Sequence, residues 1–265
     1  MDKPQPSTNW ELLEDWFTRM ALVKDEYSEP ILEDSTVNFI KSICEALKLD
    51  IYVFVMAVDV LERYIETKNA KRQLIEDKML TLSAVILICS KSNGELSDLK
   101  VTHINKVMHK LIDTTYSLKD VCKAEMDVMK TLNDKIPITT KVDEVNTFIE
   151  KYVKDGHLKA NIRRLSVNIL ELMYLQRSKW FYDLKKHYKD SEENRKIFRL
   201  LVCSKFYLPI GILYCALNLT KYKNFLKVKQ LIKEISAITR IHVDHIQILS
   251  NTIFDIVLLY LPVEQ

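Results

Sequence analysis

Three apolar segments between Val53 and Thr140 constrain this chain most. They run in fixed order: VFVMAVDVLERYI (53–65), KMLTLSAVILICSK (78–91) and LKDVCKAEMDVMKTLNDKIPITT (118–140). The middle segment is apolar on nearly every side. A helix of that kind has no face for water, so it must be the centre of a helical bundle. The third segment is amphipathic, stops at Pro137 and carries Glu125 as a polar residue among core positions. Only 3 glycines and 6 prolines occur in 265 residues. A β-rich fold needs turn residues every 8–12 positions or so, which this chain does not supply. The expected fold class is therefore all-α.

The longest uncharged apolar run, FYLPIGILYCALNLT (206–220), is short for a bilayer span of about 20 residues and reads as a buried helix. No membrane association is expected. The N-terminal MDKPQPSTNW has no apolar signal core, which points to an intracellular protein. The five cysteines form no CxxC or zinc spacing, and most lie in apolar helical runs as reduced thiols. The formal net charge of +3 hides an asymmetry. Residues 151–240 hold 20 Lys and Arg against 7 Asp and Glu, a net of +13, while the remainder is net −10. That split admits an acidic or nucleic-acid partner for the second half. No aromatic–basic interleaving or known nucleic-acid motif supports a direct nucleic-acid contact, and lysines solvating helix faces are the simpler account.

Residues 1–33 read as a tail and an N-terminal helix over about 9–24, with Trp10, Leu13, Phe17, Met20 and Ala21 at helical spacing. Residues 34–138 form a first five-helix bundle. Asp34-Ser35-Thr36 offers N-cap chemistry, Asp50 starts the second helix, and Ser92-Asn93-Gly94 is a plausible left-handed stop for the third. Ser117 and Asp120 open the fifth as a capping box. Residues 139–265 repeat the logic: helices over 142–154, 161–177 and 179–190, a charged loop SEENRK (191–196), an all-round apolar helix with a proline-glycine kink at Pro209 and Gly211, then helices over 223–239 and 243–261. The two apolar central helices lie about 125 residues apart, as in a duplicated unit.

The first half resembles a cyclin box. AVDVLERY (57–64) is similar to the end of the second cyclin helix, LSAVILICSK (82–91) to the end of the third, and AEMDVMKTLNDKIPITT (124–140) to the fifth with its glutamate and proline. The resemblance implies two tandem five-helix cyclin-box bundles preceded by an N-terminal helix. Over most of its length the chain further resembles the family of cyclin N-terminal domain-containing protein 1 and the nematode crossover-site-associated protein. The matching phrases are EPIL (29–32), VLERY, EMDVMKTLNDKIPI, VDEVNTFIE, LELMYL (170–175) and SAITRI before the last helix. That likeness implies a cyclin-like regulator of meiotic recombination at crossover-designated sites. It would reside in the nucleus on meiotic chromosomes, with a cyclin-dependent kinase and MutS- and MutL-type crossover factors as partners.

In kinase-activating cyclins a lysine at the start of the third helix and a glutamate of the fifth hold the kinase. The resemblance puts Glu125 at the glutamate position. Counting back from Ser90-Lys91 puts Asp77 at the lysine position with Lys78 one residue on, so either the helix starts differently and Lys78 serves, or the contact is altered. Lys78 is the expected kinase-interface lysine, and Lys91 is expected to pack at the helix end. STVNFIKSICEAL (35–47) lacks the substrate-docking motif of other cyclins. His242 and His245 stand three apart but have no third ligand, so no metal is expected. No phosphate loop, nucleophile elbow or carboxylate pair appears, so neither catalysis nor a cofactor is expected. The alternatives are a kinase-independent cyclin-fold scaffold binding recombination factors or nucleic acid, or an ordinary cell-cycle or transcriptional cyclin.

Overall fold

The computed structural model describes Met20 and residues 29–93, 99–153, 156–220 and 225–260, with His157 and residues 225–227 described by backbone alone. Twelve helices occur among the described residues. The chain divides into two compact units: Pro30–Val142 together with Tyr174–Ser178, and Asp143–Met173 with Lys179 onward and Glu29. The N-terminal helix expected over 9–24 lies outside the described residues, Met20 apart.

In the first unit α1 (Asp34–Ala46), α2 (Ile51–Ala70), α3 (Lys78–Ser92), α4 (Val101–Ile112) and α5 (Leu118–Thr131) follow in order. Every residue of α3 from Thr81 to Ser90 is buried, as its all-round apolar sequence demands. It packs against α2 and α5, while α2 packs on α1. The Asp50 carboxylate caps α2 by accepting from Val53 N at 3.1 Å. The Ser117 hydroxyl caps α5 by accepting from Asp120 N at 3.1 Å, and it donates to the Asp120 carboxylate at 2.6 Å. α1 differs from the expected side-chain cap. Glu33 stands at the cap, and its carbonyl receives Thr36 N and Val37 N instead.

With so few glycines, helix ends use other residues in the left-handed region. Lys48, Arg72, Asp113, Asn133 and Asp134 have φ between 51° and 57° after α1, α2, α4 and α5. Asn93 does not join them: its φ is −77°, and Gly94 lies outside the described residues.

The segment Tyr174–Ser178 enters the first unit through charge. Arg177 Nη1 lies 3.2 Å from Asp59 Oδ1 and Nη2 lies 2.5 Å from Glu62 Oε2. The Tyr174 hydroxyl donates to Asp59 at 2.9 Å. Glu62 is 3% exposed, and its Oε1 accepts from Ile31 N and Leu32 N at 3.2 and 3.4 Å. Burial pushes the Glu62 carboxyl up, and the Arg177 guanidinium and the two backbone amides oppose it.

The second unit contains α6 (Lys141–Tyr152), α7 (Gly156–Leu175), α8 (Arg177–Lys186), α9 (Glu192–Val202), α10 (Tyr207–Leu219), α11 (Phe225–Thr239) and α12 (Val243–Tyr260), apart from the segment already assigned. α10 is its buried centre, packing on α9, α11 and α12. Two expectations are corrected. SEENRK is not a loop: Ser191 accepts from Asn194 N at 3.0 Å and caps α9. Glu192 and Glu193 fill its first turn, where the helix dipole favours anions, and Phe198 and Leu201 are buried. Pro209 does not kink a helix interior. α10 begins at Tyr207, so Pro209 falls in the first turn, where backbone N–H groups have no intrahelical partner to lose.

Gly211 is a close approach of α10 to α12. A Cβ there would stand 2.6 Å from Leu249 Cγ and 3.2 Å from Ile253 Cδ1. Gly211→Ala is expected to lower stability by about 1–3 kcal/mol through overpacking, read from chemical denaturation.

His245 sits beside Tyr188, its Nδ1 2.9 Å from the hydroxyl, and its carbonyl accepts from the Tyr207 hydroxyl at 3.1 Å. Burial, with His242 nearby, lowers its pKa below the ordinary 6.5. The unfolded chain therefore takes up this proton first as pH falls. The stabilisation is full above about 6.5 and is lost below it. Thermal melts from pH 7 to 5 are expected to show a steeper loss in the wild type than in His245→Gln.

Candidate partner-binding site

A helix buried on every side shows side chains to solvent only at its ends, and both ends of α3 touch elements around α5. At the N-terminal end Asp77 is the cap. Its Oδ1 accepts from Met79 N and Leu80 N at 2.9 Å each and from the Tyr116 hydroxyl at 3.3 Å. Burial first, then the Asp77 carboxylate, pushes the Tyr116 phenol up to about 12. Asn105 fixes the same approach to α5. Its amide accepts from Tyr116 N at 2.9 Å and donates to Tyr116 O at 2.8 Å.

At the C-terminal end Lys91 Nζ lies 2.6 Å from Glu125 Oε1. The lysine side chain is 54% exposed and the glutamate 16%. A charge-assisted hydrogen bond of this length orients both groups, though an exposed ion pair adds only about 0–1 kcal/mol to stability. The ammonium keeps two further donors and the carboxylate a second oxygen, so the pair retains hydrogen-bonding capacity towards a partner.

The structure thus brings Glu125 together with Lys91 and not with Lys78. Lys78 is the first residue of α3 and is exposed. Thirteen residues separate the two lysines, about 20 Å of helix, far beyond the reach of a lysine side chain from one end to the other. The signal that points to Lys91 is its place at the open end of an otherwise apolar segment.

Around Glu125 the outward face of α5 carries Leu118, Cys122 and Met126, four residues apart. Leu118 is 65% and Met126 56% exposed, and the Cys122 thiol is free. Val121 and Val128 point into the core. Further along, Asp127 ties α5 to α2, accepting from the Tyr64 hydroxyl at 2.5 Å and Lys68 Nζ at 3.0 Å. Partial burial raises the Asp127 carboxyl, but these two donors outweigh it and hold the group below its ordinary value. α5 therefore has one face fixed in the bundle and one apolar face, with an ion pair beside it, open to solvent.

Residues 19–136 match the family model described as the cyclin N-terminal domain, a span that includes all of α1 to α5. A viral cyclin from herpesvirus saimiri has a similar structure, with a TM-score of 0.64 and 12% sequence identity, over 92% of this chain and 96% of that one. This is a cyclin-fold protein. No curated protein matches the chain. The site on α3 and α5 therefore lies inside the span that matches the cyclin N-terminal domain.

Elsewhere the excess of lysines and arginines is partly engaged on helix surfaces. In the second unit Lys159 and Arg163 meet Glu150, Lys179 and Lys186 meet Asp183, and Arg195 meets Glu192. No cluster of three His, Cys, Asp or Glu residues fit to hold a metal occurs among the described residues. No helix among them is long and apolar enough to cross a membrane.

The Arg177 cluster underpins the scaffold of the first unit. Arg177→Ala leaves Glu62 buried and Asp59 half-buried without their cation, and is expected to lower stability by about 3–5 kcal/mol. The double variant Arg177→Met with Glu62→Leu is expected to recover part of that loss, as measured by urea denaturation.

Proposed function

We propose that this chain is a regulatory cyclin that binds a cyclin-dependent kinase through the outward face of α5 and the C-terminal end of α3. The carrying observation is the Lys91–Glu125 pair, an exposed lysine on a largely covered glutamate, beside the exposed apolar stripe of Leu118, Cys122 and Met126. A kinase helix laid on that stripe would bury apolar area. The pair would fix its register, since opposed charges held in place reject a slipped partner. In this reading Lys91 acts with Glu125, and Lys78, the lysine expected from the resemblance, stands at the other end of α3.

The biological setting we propose is meiotic recombination at crossover-designated sites in the nucleus, with MutS- and MutL-type factors as further partners. The phrases EMDVMKTLNDKIPI, VDEVNTFIE and LELMYL support this setting.

Affinity purification of the tagged chain from germ cells in meiotic prophase tests both parts. The wild type and Glu193→Arg are expected to retain a cyclin-dependent kinase, and Glu125→Arg to lose at least about tenfold of it. The charge swap Lys91→Glu with Glu125→Lys rebuilds the internal pair with reversed polarity and is expected to remain defective. Full kinase retention by Glu125→Arg would remove the interface. Absence of the protein from prophase nuclei would remove the meiotic setting and leave the interface standing.

A further inference from the structure

The second unit has an open surface groove lined by Leu158, Asn161, Arg164, Leu165, Asn168 and Thr220, with Asn161, Arg164 and Asn168 exposed to solvent and the two leucines half-buried. Five of these come from α7. Asn161, Arg164 and Asn168 recur at spacings of three and four, so they share one helical face with Leu158 and Leu165. Their neighbours are engaged: Lys159 and Arg163 are held by Glu150, and the Thr220 hydroxyl donates to the Ala216 and Leu217 carbonyls at 3.0 Å. Among the described residues, nothing pairs with the Arg164 guanidinium or with the two amides. The lining has one cation and no anion.

We infer that this groove binds an acidic peptide segment of a separate protein. The chemistry selects that occupant. A guanidinium with no internal partner takes a carboxylate through two parallel hydrogen bonds. Asparagine amides on either side offer a donor and an acceptor each, the complement of a peptide backbone. The two leucines provide apolar contact for neighbouring side chains. Nucleic acid fits less well. A phosphate backbone requires a row of cations, and single strands require aromatic platforms, neither of which lines the groove. The net charge of +13 over residues 151–240 would draw an acidic segment in.

The test is to pan a phage-displayed library of random dodecapeptides against the full chain, Arg164→Glu and Lys196→Glu. The wild type and Lys196→Glu are expected to enrich the same acidic, leucine-containing peptides, and Arg164→Glu none of them. A fluorescein-labelled copy of an enriched peptide is expected to bind Arg164→Glu at least about tenfold more weakly in fluorescence anisotropy. Asn168→Ala, which leaves the charge unchanged, is expected to weaken the same peptide. Circular dichroism melts matching the wild type show that both variants fold. The inference fails if enrichment is independent of Arg164, if no peptide is enriched, or if an oligo-dT strand displaces the peptide and binds more tightly.

Discussion

The burial of α3 on all of its faces is the constraint that the rest of the first unit answers. An apolar helix of 15 residues with no wet side is stable only when ringed by others. The ring leaves it two openings. At one, Asp77 satisfies the helix N-terminus and ties the approach to α5 through Tyr116. At the other, Lys91 emerges and finds Glu125. The packing of the core thus decides where a charged group of α3 reaches the surface, and it leaves α5 with an unshared face beside that group. Core and site are set by one requirement.

That dependence explains which parts were legible in the sequence. The identity of α3 is a matter of composition within a short window. The caps at Asp50 and Ser117 are matters of adjacent residues. Both are local and were read directly. The Lys91–Glu125 pair joins residues 34 positions apart, and Arg177 meets Asp59 across 118, so neither leaves a periodic trace. Glu125 stood out because it interrupts an amphipathic helix. Lys78 and Lys91 flank the same apolar run and look equivalent until the crossing of α3 and α5 is known. Pro209 was misread for a related reason. A proline within an apolar run reads as an interior break, and only the start of α10 at Tyr207 shows that it lies in the first turn.

The buried ions serve a different purpose from the exposed pair. Arg177 lies between two carboxylates, one of them fully buried, and neither acid is tolerable there without it. Glu62 in turn accepts the backbone of Ile31 and Leu32, so the cluster fixes the chain's entry into α1. Such a group adds little net stability over an apolar equivalent, yet it forbids other arrangements, because any one of them would strand a charge. The fold is specified here by what it excludes.

The Lys91–Glu125 pair follows the opposite logic. Its lysine is open to water while its glutamate is largely covered, so screening keeps its contribution to the folded state modest. Desolvation changes that balance. When a partner covers Met126 and Cys122, the local dielectric falls and the same two charges interact more strongly with each other and with donors and acceptors opposite them. A partner that supplies those groups gains from the change. One that does not leaves a carboxylate and an ammonium poorly solvated. On the proposed reading, the pair would contribute little to stability and much to the selection of a partner.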